Sequence, residues 1–196
     1  MRKPLVAAAV VVALAAAGVA AWALRSHPAS GLTAAQRDCG QAGSLIAVGQ
    51  AIPGSCKVEE LGTGAVGTLA GIANGKPMVV NFWASWCSAC IQEMPDLQGV
   101  YAKTADQVQF LGLDLLDVDG EIRAAAVDFS RRRKVAYPLA YDDQGLLYGR
   151  ISLRVLPPTT AFVKADGTLA GFHVGQMTAQ DLRGFIAQYL GIQVPA

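Results

Sequence analysis

A Cys-x-x-Cys pair between a buried strand and a helix is the feature that most constrains the fold of this chain. The run over residues 78–83 is almost continuously apolar, which is typical of a central strand buried on both faces. Cys87 and Cys90 follow this run. Apolar residues then recur at helical spacing: Ile91, Met94, Leu97, Val100 and Tyr101. The pattern predicts a strand–turn–helix unit with both cysteines at the helix start and a kink at Pro95.

The segments after this unit predict further alternation of strands and helices. Residues 108–113 are typical of a second buried strand, and apolar residues over 122–129 mark a second helix. Residues 142–150 are expected to contain a short helical turn. The dipeptide Asp166-Gly167, between two strand-like runs, predicts a hairpin.

Both ends of the domain add to this prediction. Thr178 and Asp181 form a capping-box pattern that begins a final helix. Residues 39–75 are rich in glycine, and we expect short strands and turns there. The fold class is therefore α/β, with a central mixed sheet flanked by helices and an N-terminal extension of short strands.

The first 24 residues predict export of the domain. Arg2 and Lys3 precede an apolar run over residues 4–24, close to the ~20 residues that span a bilayer, and basic residues favour the cytoplasmic side. This predicts a single-pass signal-anchor with the domain outside the cytoplasm. A long, cleaved signal peptide is the alternative, since Ala21-Trp22-Ala23 fits a small-x-small cleavage site. Residues 25–38 are small and polar and predict a linker, which leaves the domain at 39–196.

Charge and cysteine content narrow the class of function. A net charge of +1 gives no electrostatic reason to expect a nucleic-acid partner. Four cysteines agree with an oxidising compartment and allow three pairings. Because the pair at 87 and 90 is local, Cys39 and Cys56 are left to form a structural disulfide. The alternative is that one of these two is a resolving thiol for the active pair.

The spacing of Cys87 and Cys90 suits thiol–disulfide exchange. A helix N-terminus stabilises an anion, so Cys87 is expected to have a lowered pKa and to act as the nucleophile. Cys90, one turn further on, would then resolve the mixed disulfide. A zinc site needs two more ligands, and neither His27 nor His173 has ligand spacing. We expect no metal and no cofactor, and we expect His173 to be packed or exposed rather than catalytic.

Residues 81–90, Asn-Phe-Trp-Ala-Ser-Trp-Cys-Ser-Ala-Cys, closely resemble the active-site segment of thioredoxin-like proteins. More narrowly they resemble the TlpA/ResA/CcmG branch, the membrane-anchored thiol–disulfide oxidoreductases. The resemblance covers roughly residues 55–190 and implies a thioredoxin-like fold.

Glu93 matches an acidic residue that this branch places near its active site. The resemblance implies a catalytic role, in which Glu93 holds or relays a proton while a Cys90 thiolate forms. The alternative is an exposed helix carboxylate that merely suits the helix dipole. Asn81 stands where cytosolic thioredoxins carry a buried Asp, so proton transfer is expected to fall to Glu93 or to water.

The substrate-binding residues implied by the resemblance are Trp86, Pro157 and Pro158. Pro158 matches the cis-proline loop, and Trp86 is expected to cover Cys87 and contact substrate, whereas Trp83 is a core residue. The residue before the cis-proline normally offers an N–H to an extended substrate. Pro157 has none, which predicts docking with one donor fewer.

The resemblance implies a reductase of protein disulfides that draws electrons from an integral-membrane thiol carrier. Its plausible targets are apocytochrome c cysteines or copper-site assembly proteins. An oxidase that forms disulfides in exported proteins, and a non-enzymatic module that binds copper or a partner through its thiols, are the alternatives. A thiol peroxidase is disfavoured, because peroxide chemistry does not need a Cys-x-x-Cys partner.

Overall fold

One seven-stranded sheet organises the domain in a computed structural model that describes residues 38–39 and 44–195. The strands are β1 (Lys57–Glu60), β2 (Val66–Thr68), β3 (Met78–Trp83), β4 (Gln109–Asp114), β5 (Leu139–Tyr141), β6 (Thr159–Val163) and β7 (Leu169–Val174). The helices are α1 (Leu69–Ala73), α2 (Ser88–Thr104), α3 (Arg123–Arg133) and α4 (Ala179–Phe185), with short 3₁₀ turns at Asp143–Gly145 and Tyr148–Arg150. A π-helical segment, Ile186–Leu190, continues α4.

The sheet is mixed, and β3 lies in its interior between β4 and β6. The strand order is β2-β1-β5-β4-β3-β6-β7. β3 pairs in parallel with β4 and antiparallel with β6, and β4 pairs in parallel with β5. All six residues of β3 are buried, which explains its unbroken apolar run. The predicted mixed sheet flanked by helices is confirmed.

Alternation along β3 divides the hydrophobic core between the two faces of the sheet. Val79 and Trp83 belong to the cluster that contains Leu97 of α2 and Leu182 of α4. Val80 and Phe82 belong to the opposite cluster, which contains Leu69, Leu147 and Ile151. Because side chains alternate along a strand, Asn81 lies on the α2 face with Val79 and Trp83.

Several helices and turns agree with the sequence. α2 begins at the cysteine pair and continues past Pro95, the site of the predicted kink. The hairpin of β6 and β7 encloses Gly167, and the two 3₁₀ turns lie within residues 142–150. At the start of α4 the capping box is present in both directions between Thr178 and Asp181.

Two short elements are not evident in the sequence. β5 has only three residues, too few to show alternation, yet all three are buried and they join β1 to β4. α1 has five residues in a glycine-rich stretch and is capped by Thr68, whose side chain accepts the N–H of Gly71. Both depend on tertiary packing rather than on a local pattern.

The predictions for the N-terminus fall largely outside the described residues. These are the signal-anchor or signal peptide at 1–24 and the linker at 25–38, of which only Asp38 is described. Within residues 38–39 and 44–195, no helix is both long enough and apolar enough to span a bilayer.

Candidate redox site

Cys87 is the N-cap of α2, and the structure shows it bonded to Cys90. The disulfide joins residues three positions apart in the sequence, and their Cα atoms lie 5.3 Å apart. The Sγ of Cys87 also accepts the backbone N–H of Cys90 at 3.1 Å. N–H groups in the first turn of a helix have no intrahelical partner, so they stabilise negative charge placed there. In the reduced protein this geometry would stabilise a Cys87 thiolate.

Both cysteines are buried, and Cys90 is the more buried of the two. Cys87 is 6% exposed and Cys90 1%. Trp86, directly before the pair, is 45% exposed, whereas Trp83 is fully buried in the core. A large, half-exposed apolar side chain therefore lies directly before the more exposed cysteine in the chain.

Glu93 is buried, which excludes the alternative of an exposed helix carboxylate. It lies one turn after Cys90 on α2 and has no exposed surface. Its Oε1 accepts a hydrogen bond from Asn81 Nδ2 at 2.8 Å, and its Oε2 accepts the backbone N–H of Met177 at 3.1 Å. Residues three apart on a helix share a face, so Glu93 and Cys90 lie on the same face of α2.

Burial raises the pKa of Glu93 to about 7, against an ordinary value of 4.5. The hydrogen bonds from Asn81 and Met177 oppose this rise, and the negative charge of Asp96 adds to it. A carboxyl that titrates near neutral pH can both take and give a proton. Such a group lies on α2, one turn after Cys90.

Asn81 connects Glu93 to the strand that follows the cis-proline. In the β3–β6 register Asn81 faces Thr160, and its Nδ2 donates to Thr160 Oγ1 at 3.0 Å as well as to Glu93. Its Oδ1 has no hydrogen-bond partner. Asn81 itself cannot relay a proton at neutral pH, but it fixes one oxygen of the carboxyl that can.

The bond between Pro157 and Pro158 is cis, and the sheet places this loop beside the cysteine loop. Phe82 pairs with Thr159 across β3 and β6, so residues after Phe82 run alongside those before Thr159. The carbonyl of Pro158 accepts the N–H of Gly175 at 2.8 Å. Pro157 offers only its carbonyl to a visiting chain, because its nitrogen carries no hydrogen.

Tyr148 supports the cis-proline loop and was not identified as important by the sequence. Its hydroxyl donates to the carbonyl of Arg154 at 2.9 Å and accepts the N–H of Leu156 at 2.9 Å. Thr159 Oγ1 lies 3.2 Å from the same hydroxyl. The sequence shows only a tyrosine within the predicted turn. Because the hydroxyl groups of buried tyrosines usually find a hydrogen-bond partner, this residue type was the one signal of its supporting role.

A second carboxylate, also not identified from the sequence, contacts the cysteine loop. Oε2 of Glu121 accepts the backbone N–H of Ser85 at 2.6 Å, two residues before Cys87. Glu121 is 36 residues from Ser85 along the chain, and no local motif links the two.

Cys39 and Cys56 are bonded to each other in the structure, 17 residues apart in sequence. They belong to the core cluster on one face of the sheet, whereas Cys87 and Cys90 belong to the cluster on the other. This placement argues against either of them resolving a mixed disulfide at Cys87. His173, on β7, faces Thr160 in the β6–β7 register and packs its ring 5.0 Å from that of Phe185.

Known proteins resemble this chain in sequence and in structure. ResA, a thiol–disulfide oxidoreductase of Bacillus cereus, is 28% identical over 113 residues, which are 57% of this chain and 62% of the relative. Sporulation thiol–disulfide oxidoreductase A of Bacillus subtilis is 27% identical over 110 residues, 56% of this chain and 66% of the relative. The chain thus spans less than two thirds of each of these relatives.

A solved structure matches over a larger share of its length. It is a secreted Mycobacterium tuberculosis disulfide oxidoreductase, homologous to Escherichia coli DsbE. The match has 27% identity and a TM-score of 0.57, and it covers 67% of this chain and 94% of the other. The predicted thioredoxin-like fold and the resemblance to the ResA branch are confirmed. A family model described as AhpC/TSA matches residues 48–171, and the chain belongs to the AhpC/TSA family.

Proposed function

We propose that this protein is an extracytoplasmic thiol–disulfide oxidoreductase that reduces disulfides of protein substrates through Cys87 and Cys90. The observation that carries the proposal is the position of Cys87 Sγ at the N-terminus of α2, where it accepts the N–H of Cys90. The names of the relatives, two of them thiol–disulfide oxidoreductases and one a secreted disulfide oxidoreductase, support both the reaction and the compartment.

The exchange begins with the reduced protein. The Cys87 thiolate attacks one sulfur of the substrate disulfide, forms a mixed disulfide and displaces the other substrate sulfur as a thiolate, which takes up a proton. Because Cys87 is the more exposed residue of the pair, we propose that it is the one a substrate reaches. Trp86 and Pro158 flank it and are proposed to contact the substrate.

Resolution then falls to Cys90. Its thiol loses a proton, to Glu93 in our proposal, and the thiolate attacks Cys87 Sγ. The second substrate sulfur leaves as a thiolate and is protonated. The substrate has gained two electrons and two protons, and the Cys87–Cys90 disulfide is the oxidised product. An integral-membrane thiol carrier is the proposed donor that restores the dithiol, with residues 4–24 keeping the domain at the membrane.

Insulin reduction tests the exchange chemistry. The wild-type domain is expected to accelerate disulfide reduction by dithiothreitol, Cys87→Ser to abolish this activity, and Cys90→Ser to accumulate a mixed disulfide at Cys87. Equal rates for wild type and Cys87→Ser would contradict the proposal and favour a binding module.

Equilibration with glutathione tests the direction. A reduction potential near about −270 mV, the range of dithiol reductants, supports the reductase. A potential near about −120 mV, that of strong dithiol oxidants, would instead assign the formation of disulfides in exported proteins.

A further inference from the structure

A segment with large apolar side chains adjoins the cis-proline loop and is exposed to solvent. Leu153 is 76% exposed, Val155 43% and Leu156 48%. Leu156 directly precedes Pro157 in the chain. Exposed apolar side chains that lie close together mark interaction sites, whereas single ones are ordinary features of a protein surface. The three residues are therefore candidates for contact with a substrate that docks at the cis-proline loop.

Hydrogen bonds from buried side chains hold this segment in place. The Tyr148 hydroxyl donates to the carbonyl of Arg154 and accepts the N–H of Leu156, each at 2.9 Å. The Thr159 hydroxyl donates to the carbonyl of Leu156, also at 2.9 Å. Tyr148 is 2% exposed and Thr159 is fully buried. Polar backbone groups of the segment are thus bound on its inner side, while its apolar side chains remain in solvent.

Tyr148 is itself fixed by the core of the domain. Its backbone N–H donates to Oδ2 of Asp142 at 2.8 Å, and its ring packs edge-on against Phe82 of β3, with the centroids 5.2 Å apart. Phe82 also faces Thr159 across β3 and β6. The position of the Tyr148 hydroxyl therefore depends on the same pair of strands that places the cis-proline loop beside the cysteine loop.

Exposed apolar residues also adjoin the two proline and cysteine loops on other segments. Val174, 41% exposed, precedes Gly175, whose N–H donates to the carbonyl of Pro158 at 2.8 Å. Trp86, 45% exposed, directly precedes Cys87. Apolar surface is therefore present on three segments that lead into the redox site.

We propose that the Tyr148 hydroxyl positions residues 153–156 as a docking surface for apolar stretches of protein substrates, next to the disulfide that is reduced. Tyr148 is a positioning residue in this proposal, since it acts through the backbone of the segment. Arg154 is the only charged residue in the sequence from 151 to 163, so this segment offers no carboxylate to a basic substrate. The inference rests on the proposed function and names the substrate class: incompletely folded polypeptides with apolar residues beside their disulfide.

Two oxidised peptides test the docking surface. Each contains one disulfide; leucine and valine flank the cysteines in the first peptide, and serine replaces them in the second. Wild type is expected to reduce the apolar peptide with a KM about tenfold lower and a similar kcat, because apolar contacts form at docking. Equal KM values for the two peptides would overturn the proposal.

Substitutions of the exposed side chains test the surface without touching the core. Leu153→Gln/Leu156→Gln retains the backbone N–H of residue 156 and should raise KM for the apolar peptide about tenfold, with KM for the serine peptide unchanged. Val66→Gln, a change at an exposed valine of β2, at the edge of the sheet opposite to β7, is the matched control. A double variant with the KM values of Val66→Gln would mean that substrates do not contact residues 153–156.

Tyr148→Phe tests the positioning role. The variant keeps the ring but removes the acceptor of the Leu156 N–H, so this amide should exchange with deuterium about tenfold faster, while amides of β3 keep their rates. KM for the apolar peptide should rise about tenfold, with kcat and the reduction of oxidised glutathione unchanged. Tyr137→Phe is the control, because it removes a buried hydroxyl that has no hydrogen-bond partner among the described residues. A Leu156 amide or a KM that matches Tyr137→Phe would show that the Tyr148 hydroxyl does not position the surface.

Thr159 provides a second test if Tyr148→Phe does not fold. Thr159→Val removes the donor to the carbonyl of Leu156 at nearly constant volume and should raise KM for the apolar peptide. Thr159→Ser retains the hydroxyl and should keep the wild-type KM. Equal KM values for the two variants would contradict the role of these hydrogen bonds.

The outcomes separate this inference from the proposed function. If wild type reduces insulin and reduces both peptides with equal KM values, the docking surface is wrong and the proposed function stands. If wild type reduces neither insulin nor either peptide, the proposed function fails, and this inference fails with it.

Discussion

Asn81 donates a 2.8 Å hydrogen bond to the carboxyl of Glu93, across the interface between β3 and α2, the helix that begins after Cys87. The contact joins a side chain that cannot ionise near neutral pH to one whose pKa is raised to about 7. It keeps a titrating carboxyl fixed inside the domain. Two of our predictions follow from this arrangement.

The stability of the domain should fall as pH rises through neutrality. Glu93 has a higher pKa folded, about 7, than its ordinary 4.5, so the folded state binds the proton more tightly. This contribution is complete below pH 4.5 and is lost as pH rises through 7, by up to about 3 kcal/mol. Urea unfolding of wild type and Glu93→Gln between pH 4.5 and 8 measures it.

Glu93→Gln should lack this component of the pH dependence and should be more stable than wild type at pH 8. Asn81 can accommodate the substitution by turning its amide, since its Oδ1 has no partner at present. Asp128→Asn, a change at an exposed carboxylate, should keep the wild-type profile. Parallel profiles for wild type and Glu93→Gln would show that Glu93 is not the group responsible.

The rate of resolution by Cys90 should rise with pH through about 7, the pKa of Glu93, because the ionised carboxyl accepts the Cys90 proton. Glu93→Gln should slow this step by about 10²-fold and lose the rise near pH 7. Single-turnover release of a substrate from the mixed disulfide measures the step directly. A rise near pH 7 that persists in Glu93→Gln would assign it to another group.

Pro157→Ala should strengthen the docking of extended substrates by returning an N–H to the residue before the cis bond. One added hydrogen bond predicts a KM for a peptide disulfide lower by about three- to tenfold, with kcat little changed. Oxidised glutathione, which is too short to lie along the loop, is the control substrate and should be reduced at the wild-type rate. An unchanged KM for the peptide would mean that substrates do not pair with this edge.

Gly112→Ala should destabilise the domain. A Cβ at this position on β4 would overlap Cδ2 of Leu139 and lie 3.2 Å from Trp83 Nε1 and from Tyr137 Cε2. Overpacking of this kind costs about 1–3 kcal/mol. Gly99→Ala is the matched control, because a Cβ there meets nothing within 4 Å and alanine is favoured by about 0.5–1 kcal/mol inside a helix. Urea unfolding of both variants compares them, and equal effects would contradict the packing around Gly112.

Removing the Cys39–Cys56 disulfide should lower stability and leave exchange intact. The bond closes a loop of 17 residues, so the double variant Cys39→Ala/Cys56→Ala should lose roughly 3 kcal/mol of unfolding free energy. Insulin reduction at 20 °C should continue, since these sulfurs lie on the face of the sheet opposite to Cys87. Loss of activity in a variant that remains folded would mean that Cys39 or Cys56 takes part in the exchange.

Local sequence patterns were sufficient to predict the strand and the helix on either side of the Cys87–Cys90 pair. The apolar run of β3, the helical period of α2 and the hairpin dipeptide each act over a few residues, and each is where the sequence predicts it. β5 and α1 are too short to show a hydrophobic period, and they form because of tertiary packing. The sequence therefore predicts the centre of the sheet better than its β1–β5 side.

The residues of the site also divide into those that local sequence spacing predicts and those that only the fold brings together. Cys87, Cys90 and Glu93 share one helix, so their spacing already implies their proximity. Glu121 and Tyr148 bind the cysteine loop and the cis-proline loop from distant parts of the chain, and only the tertiary fold brings them there. The burial of Glu93, which separates its two alternative roles, depends on Asn81 and Met177 and was not contained in the helix pattern.

The unequal cover of the two sulfurs has a consequence for the order of events. Cys87 keeps a small exposed surface and Cys90 almost none. In the proposed exchange this difference favours attachment at Cys87 first, even if the two thiols had the same intrinsic reactivity. Widening the opening next to Cys90 would create dead-end adducts at that position, so the tight enclosure protects turnover as well as the fold.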